Sequence, residues 1–204
     1  MTADPDDRGA PADLDGWRLE VTDILGTRRS SRYTTLSVSL SYAELSELGP
    51  VTVDARLTSR SGGTAHHRWE GYRLADVLEI LGRTDGGDLY LRQRSIDLAG
   101  QGCFESTIPL ADALAREAIL VTCIDGEPLT PAQGYPVRLV DFGLYSYKCM
   151  KALGSLAVTT DYRHSKTEQF AGHPLDGTVH TQASWVYEHE AAQPLAAQRG
   201  LHER

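Results

Sequence analysis

The chain has 204 residues, of which 41% are hydrophobic and 24% charged, with a net charge of -8. This size and apolar content fit one packed domain, and the acidic balance excludes nucleic acid as the main partner, because phosphate backbones demand a basic footprint. No apolar run approaches the ~20 residues that span a bilayer, and the opening MTADPDDRGAPADLDGW has no apolar signal core, so the expected setting is cytoplasmic, with no membrane.

Residues 1–16, rich in Asp, Pro, Ala and Gly, read as a disordered arm. Order is expected from Trp17, over a domain spanning 17–160. WRLEVTDIL and TLSVSLSY alternate apolar and polar residues, as half-buried strands do. Ser41 is placed to cap a short helix over YAELSEL, with Glu44 completing a capping box and Gly49-Pro50 ending it. VTVDARLTSR is a strand, and SGGTAHHRW turns it into a hairpin. YRLADVLEILG carries Leu74, Val77, Leu78 and Leu81 at helical spacing, with Gly82 as its stop. DLYLRQRSI is a strand, STIPLADALA runs from a strand into a helix near Pro109, and ILVTCIDGEPL is a strand with an Asp-Gly turn. YPVRLVDF and SLAVTT are further strands. Residues 161–204 form a C-terminal arm, expected to run along the surface to 190 with Trp185, Val186 and Tyr187 pinning it, and to fray beyond 191. Many short strands and few short helices indicate an α+β domain on a mixed or antiparallel sheet. Neither GxGxxG nor GxxxxGK[ST] occurs, so a nucleotide-type doubly wound fold is not expected.

Chemistry concentrates in QGYPVRLVDFGLYSYKCMKAL. Between Gly134 and Leu156, Arg138, Lys148 and Lys151 stand against one anion, Asp141. Arg138 lies in an otherwise apolar strand, so it must reach solvent or meet an anion. Lys148 and Lys151 share one side of a helical turn if one forms. Gly134 and Gly143 allow close backbone approach to a ligand, and Tyr145, Ser146 and Tyr147 add hydroxyls. Two readings stay open: a phosphate cradle, or a solvated strand face and a turn.

These segments resemble the molybdopterin-binding domain of the sulfite oxidase family. That family carries G-x-P-x-R-L, a Pro/Gly-rich turn and Y-G-x-K-x-x-K-W. Here Gly134, Pro136, Arg138, Leu139, Gly143, Tyr145, Lys148 and Lys151 follow in that order without a gap. Ile124–Leu129 is similar to the family's N-G-x-P-L turn, with Asp125 for Asn. Arg94–Leu114 resembles R-S-x-D-G-Y-x-x-S-x-P-L-x-x-A with a few residues inserted, and Trp69–Leu78 resembles W-x-G-v-x-L-x-d-L-L. Asp161–Gly172 looks like the arm that follows the domain. The resemblance runs over residues 17–185 in consistent order. It implies a sulfite-oxidase-type fold with molybdopterin buried in its middle. It also implies that Arg138, Lys148 and Lys151 hold the pterin, with Gln133 where the family has His or Asn; Ser146 joins them as a hydroxyl donor.

The departures matter equally. Family members with an active molybdenum centre place a metal-binding cysteine after the strand preceding W-x-G, and soft thiolate suits that metal. The matching stretch here is Arg56-Leu57-Thr58-Ser59-Arg60. Phe142 replaces a Pro, Ala152 replaces a Trp, and Asp141 is expected either to oppose an anion or to pair with Lys148 or Lys151.

Three cysteines without CxxC spacing give neither a zinc site nor a disulfide framework. Cys149 between two lysines is a candidate thiolate. Cys103, in a Gly-flanked loop, is expected near the cofactor's open side, and Cys123 reads as inert core. His66 and His67 face opposite ways on a strand, and one of them can turn into the pocket as a general acid or base; a hairpin-surface pair is the competing reading, as it is for Asp54 and Glu70. His164, His173, His180 and His189 match no metal spacing. Catalytic candidates are therefore His66, His67, Tyr145 and Cys103, with no metal ligand among the side chains. Three functions compete: a molybdopterin-family oxidoreductase or cofactor-binding protein, a cofactor-free enzyme using the old cavity for a small polar metabolite, and a non-catalytic ligand-binding module. Substrate, oligomeric state and redox partner are not legible.

Overall fold

Alternating apolar residues build two five-membered sheets. The computed structural model describes residues 14–25, 34–59, 63–96, 102–165, 168–169 and 177–179. A 3-10 turn at Leu14–Gly16 leads into β1 (Arg18–Leu25), followed by β2 (Thr34–Ser41) and α1 (Tyr42–Ser46). The hairpin β3 (Val51–Thr58) and β4 (Thr64–Arg73) comes next, then α2 (Leu74–Glu79), β5 (Tyr90–Ser95), β6 (Glu105–Pro109) and α3 (Leu110–Ala115). The chain continues through β7 (Ile119–Ile124), β8 (Glu127–Pro128), β9 (Arg138–Val140), a 3-10 turn at Ser146–Lys148, and β10 (Leu153–Thr159).

The first sheet has the order β2-β1-β10-β5-β6, in which β1 and β10 run parallel and the other pairs antiparallel. The second has the order β3-β4-β7-β8, with β9 also pairing β7, and is antiparallel. This is the mixed α+β architecture expected from the pattern. No helix among the described residues is long and apolar enough to cross a membrane.

The pleat of β7 explains how two cores arise. Leu120 joins Leu19, Val21, Leu91, Leu139, Leu156 and the helix residues Leu74, Val77 and Leu78 in the main core. Each of these leucines contributes on the order of 1.5–3 kcal/mol by leaving water. The β7 neighbours Ile119 and Val121 point the other way. With Leu57, Trp69, Val140 and Cys149 they form a second cluster on the opposite face, against which Val53, Ala55, Tyr135 and Phe142 are partly packed.

Local signals were kept where chemistry enforced them. Ser41 and Glu44 make the expected capping box at α1. Helix α2 starts later than its periodicity suggests, because Tyr72 and Arg73 are drawn into β4 by pairing with Leu120 and Ile119. The C-terminal segment is not simply a surface arm: Ser165 and Glu168 are buried. Residues 1–13 of the expected N-terminal arm lie outside the described residues, as do Trp185, Val186, Tyr187, the tail beyond 191, and His173, His180 and His189. Residues 14–16, assigned to that arm, form the first 3-10 turn.

Candidate functional site

Five charged side chains are buried among the described residues: Asp23, Arg138, Asp141, Lys148 and Glu168. A buried charge is tolerated when it is paired, and four of the five are. Arg83 grips Asp23 through Nε at 2.8 Å and Nη2 at 3.1 Å. Arg116 Nε lies 2.8 and 2.9 Å from the two oxygens of Asp141. Lys148 meets Glu168. Arg138 has no carboxylate partner among the described residues.

Strand β9 places Arg138 there. Its neighbour Leu139 enters the main core, so Arg138 and Val140 turn to the second cluster. The Arg138 guanidinium lies 5.8 Å from the Trp69 ring centroid, within cation–π range. Nη1 donates to the Gln133 carbonyl at 3.1 Å, and Nε is buried with no acceptor among the described residues. The side chain is only 4% exposed. Burial pushes the guanidinium below the usual arginine range, with the Cys149 sulfur opposing that push. A forked cation with an unused buried donor is a receptor for an anion.

The loop beside it is built by Thr130-Pro131-Ala132-Gln133. Gln133 N–H donates to Thr130 Oγ1 at 3.3 Å, and Thr130 N–H donates to Gln133 Oε1 at 2.8 Å. The Gln133 side-chain oxygen, a sequence candidate for the cofactor, is thus engaged in its own turn. Lys151 is exposed, and its ammonium donates to the Ala132 carbonyl. The heads of Arg138 and Lys151 therefore meet consecutive carbonyls of one loop, 132–133.

Lys148 departs from expectation. It is 1% exposed. Its ammonium donates to the Thr107 carbonyl at 3.0 Å, to the Tyr162 hydroxyl at 2.9 Å, and to Glu168 Oε1. An ammonium has three protons, and these acceptors use all three. Nζ is also 5.3 Å from the Tyr162 ring centroid, but the short hydroxyl contact puts it off the oxygen end of the ring rather than over its face. Tyr162 in turn donates to Glu168 Oε1 at 2.8 Å. Burial alone would raise the Glu168 carboxyl; hydrogen bonds from Lys148, the Ser165 N–H and Tyr162 outweigh it and hold the group below the usual range. The three cations do not converge on one guest. One is buried and unpaired, one is buried and saturated, and one is exposed. The helical turn stops at Lys148, because Cys149 is extended (φ -93, ψ 106), so Lys148 and Lys151 part.

Several other expectations are corrected. Asp141 pairs with Arg116, not with Lys148 or Lys151. Gly134 (φ +105) and Gly143 do permit close approach, but of the chain to itself. A Cβ at Gly134 would meet Lys151 Cβ at 2.8 Å, and one at Gly143 would meet Arg116 Cδ at 2.3 Å. Cys149 is no ready thiolate: burial pushes its thiol up to about 11 despite Arg138 nearby. Cys123 is half-buried rather than core, and Cys103 is half-buried at the start of the segment entering β6. Ser146 opens the 3-10 turn and is half-buried, while Tyr145 is buried with its ring stacked on Tyr147 at 6.2 Å. His66 pairs with Asp54 and His67 with Asp125, and Glu70 lies 3.6 Å from Arg68. His164 is exposed against Tyr162. No group of three or more His, Cys, Asp or Glu among the described residues is arranged to hold a metal. The sequence had not marked Trp69 as the platform under Arg138, nor Asp125, Tyr162 and Glu168 as partners. The Ser165-x-x-Glu168 spacing is a capping-box signature and accounts for the Ser165 contacts of Glu168, but it carries no signal for Lys148.

The model of the oxidoreductase molybdopterin binding domain matches residues 8–167. The chain belongs to that family. Mouse mitochondrial sulfite oxidase (Mus musculus) is 32% identical over 133 residues, covering 62% of this chain and 24% of its own. An uncharacterized oxidoreductase of Bacillus subtilis, YuiH, is 27% identical over 150 residues, covering 73% of this chain and 68% of its own. The fold is shared with the sulfane dehydrogenase SoxCD of Paracoccus pantotrophus, at a TM-score of 0.59 and 17% identity over 76% of this chain and 40% of that one. The molybdopterin-domain chain thus spans about a quarter of the mouse enzyme it matches.

The anionic end of a molybdopterin would find a fitting group in Arg138, whose Nε is buried without an acceptor among the described residues. At the metal end the family's cysteine position falls on Arg56–Arg60, which holds no thiol, and Cys149 remains protonated near neutrality.

Proposed function

We propose that this chain is the molybdopterin-binding part of an oxidoreductase. The anionic end of the cofactor would be held at Arg138, with Lys151 and the 132–134 loop beside it. Arg138 carries this reading, as the buried cation lacking a counter-ion among the described residues. Lys148 contributes by position: its carbonyl accepts from Gln93 Nε2 at 3.0 Å and Ser106 Oγ at 3.3 Å, fixing the turn that follows β9. The bound cofactor would supply the redox chemistry; the chain's residues bind, orient and shield it. Trp69 lies against the guanidinium, and the burial of Arg138 strengthens its pull on an anion.

Protein purified from cells that make the pterin should contain molybdenum and release a fluorescent pterin. Arg138→Met should lower both by at least about tenfold, as expected for loss of a charge-assisted contact of roughly 1.5–3 kcal/mol. Wild-type protein with neither molybdenum nor pterin refutes this reading. The missing thiol at 56–60 favours a second one, a cofactor-free enzyme whose small anionic metabolite sits at Arg138. It predicts Arg138-dependent anion binding by pterin-free protein.

A further inference from the structure

Strand register decides which of two adjacent histidines belongs to the Arg138 site. Across the β3–β4 hairpin Ala55 opposes His67 and Val53 opposes Trp69, and opposed residues share a sheet face. Val53, Ala55 and Trp69 belong to the second cluster, and Trp69 carries the Arg138 guanidinium. His67 therefore lies on the Arg138 face. Its ring stands edge-on to Trp69, 5.7 Å between centroids at 88°. His66 opposes Arg56 and bonds Asp54 at 2.9 Å on the other face.

Asp125, in the β7–β8 turn, fixes His67. Its Oδ2 lies 2.6 Å from His67 Nδ1. Its Oδ1 accepts the Arg68 N–H at 2.9 Å, and its own N–H donates to the Arg68 carbonyl at 2.8 Å. The carboxylate is thus clamped to the residue following the histidine. The Arg68 N–H first and His67 second hold its carboxyl below the usual range. An ionised acceptor at Nδ1 selects the tautomer with the proton on Nδ1 and a lone pair on Nε2. Nε2 meets no partner among the described residues.

We infer that His67, oriented by Asp125, exchanges a proton with an anionic ligand held at Arg138. The inference rests on the Arg138 reading above. The Nε2 lone pair takes a proton from a ligand O–H, Asp125 offsets the imidazolium charge, and the proton returns to a ligand oxygen or to water. Asp125 is a positioning residue in this scheme. Asp125 from the β7–β8 turn contacts His67, Arg138 from β9 shares Trp69 with it as a neighbour, and His66 also acts on Asp125 through space. Asp54, Arg56 and His66 share the opposite face, and Arg68 pairs with Glu70. The His67 ring and the Arg138 guanidinium are separated by no more than the sum of their distances to Trp69. That upper bound is slightly longer than the screening length of about 8–10 Å at moderate salt, and the burial of Arg138 and Trp69 between them weakens the screening.

The test uses the full chain made in cells unable to synthesise the pterin, with sulfate as the probe at constant ionic strength. Histidine ring resonances are assigned with His66→Asn and His67→Asn and followed by NMR against pH. Saturating sulfate should raise the His67 midpoint by about half a pH unit, since a nearby anion favours imidazolium, and leave His66 unmoved. Arg138→Met should abolish the displacement, and Arg138→Lys should keep part of it. Asp125→Asn should release the Nδ1–H tautomer of His67, read from its two ring-nitrogen shifts, with or without sulfate. Sulfate that stabilises the protein through Arg138 without moving His67 overturns the inference and leaves the Arg138 reading standing. Sulfate that shows no Arg138-dependent effect overturns both.

Discussion

Glu168→Gln removes one charge from the Lys148–Tyr162–Glu168 triad while keeping its volume. Lys148 retains the Thr107 carbonyl and the Tyr162 hydroxyl but loses its counter-ion, at a position where both side chains are 0% exposed. Stranding one partner of a buried pair costs about 3–5 kcal/mol. The two retained hydrogen bonds place this variant near the lower end, about 3 kcal/mol. For a domain of this size that lowers Tm by roughly 6–12 °C. Lys148→Met added to Glu168→Gln removes the stranded ammonium and should recover most of the loss. The assay is urea unfolding at pH 7, with trypsin cleavage after the exposed Arg163 as a second readout. Because the folded Glu168 carboxyl is held low, its contribution is full above the unfolded value of about 4.3. It disappears as pH falls through the folded value, so the gap between wild type and variant should close in acid. A Glu168→Gln protein within about 1 kcal/mol of wild type at pH 7, cleaved no faster at Arg163, would refute the reasoning, since ordinary surface changes stay within roughly half that.

Two further outcomes follow from the same geometry. With its thiol pushed up to about 11, Cys149 should resist an aromatic disulfide reagent at pH 8. The half-buried Cys103 and Cys123 should react first, and Cys149 only on unfolding; equal rates for all three would contradict its burial. Arg116→Met leaves the buried Asp141 with the Gly143 N–H at 3.0 Å as its remaining donor. The variant should lose about 3 kcal/mol in denaturant unfolding, and an unchanged midpoint would mean that desolvation already cancels the pair.

Most strands were legible because alternation is a local signal, and α1 because Ser41 and Glu44 are three residues apart. Arg138 was legible in kind: an arginine between Val137 and Leu139 has to be satisfied somehow, and here the main chain of Gln133 satisfies only one of its nitrogens. Lys148 and Lys151 misled because their spacing assumes a helix that ends at the first of them. Glu168 and Asp125 were invisible as partners. Their contacts join positions 20 and 58 residues apart, and no sequence window spans such pairs. Sulfite-oxidase-like motifs in series pointed to the family correctly, but the role of each matched side chain depends on neighbours those motifs do not contain.

Strand β1, first of the fold, runs parallel to β10, last of it, with Glu20 opposite Ser155 and Asp23 opposite Val158. On the ribosome, the β1–β2 pair therefore emerges with one side bare and waits for the whole stretch from Ser41 to Leu153 to be translated before its neighbour arrives. Until then the exposed strand is a template for wrong pairing, and closure of so long a loop slows the final step.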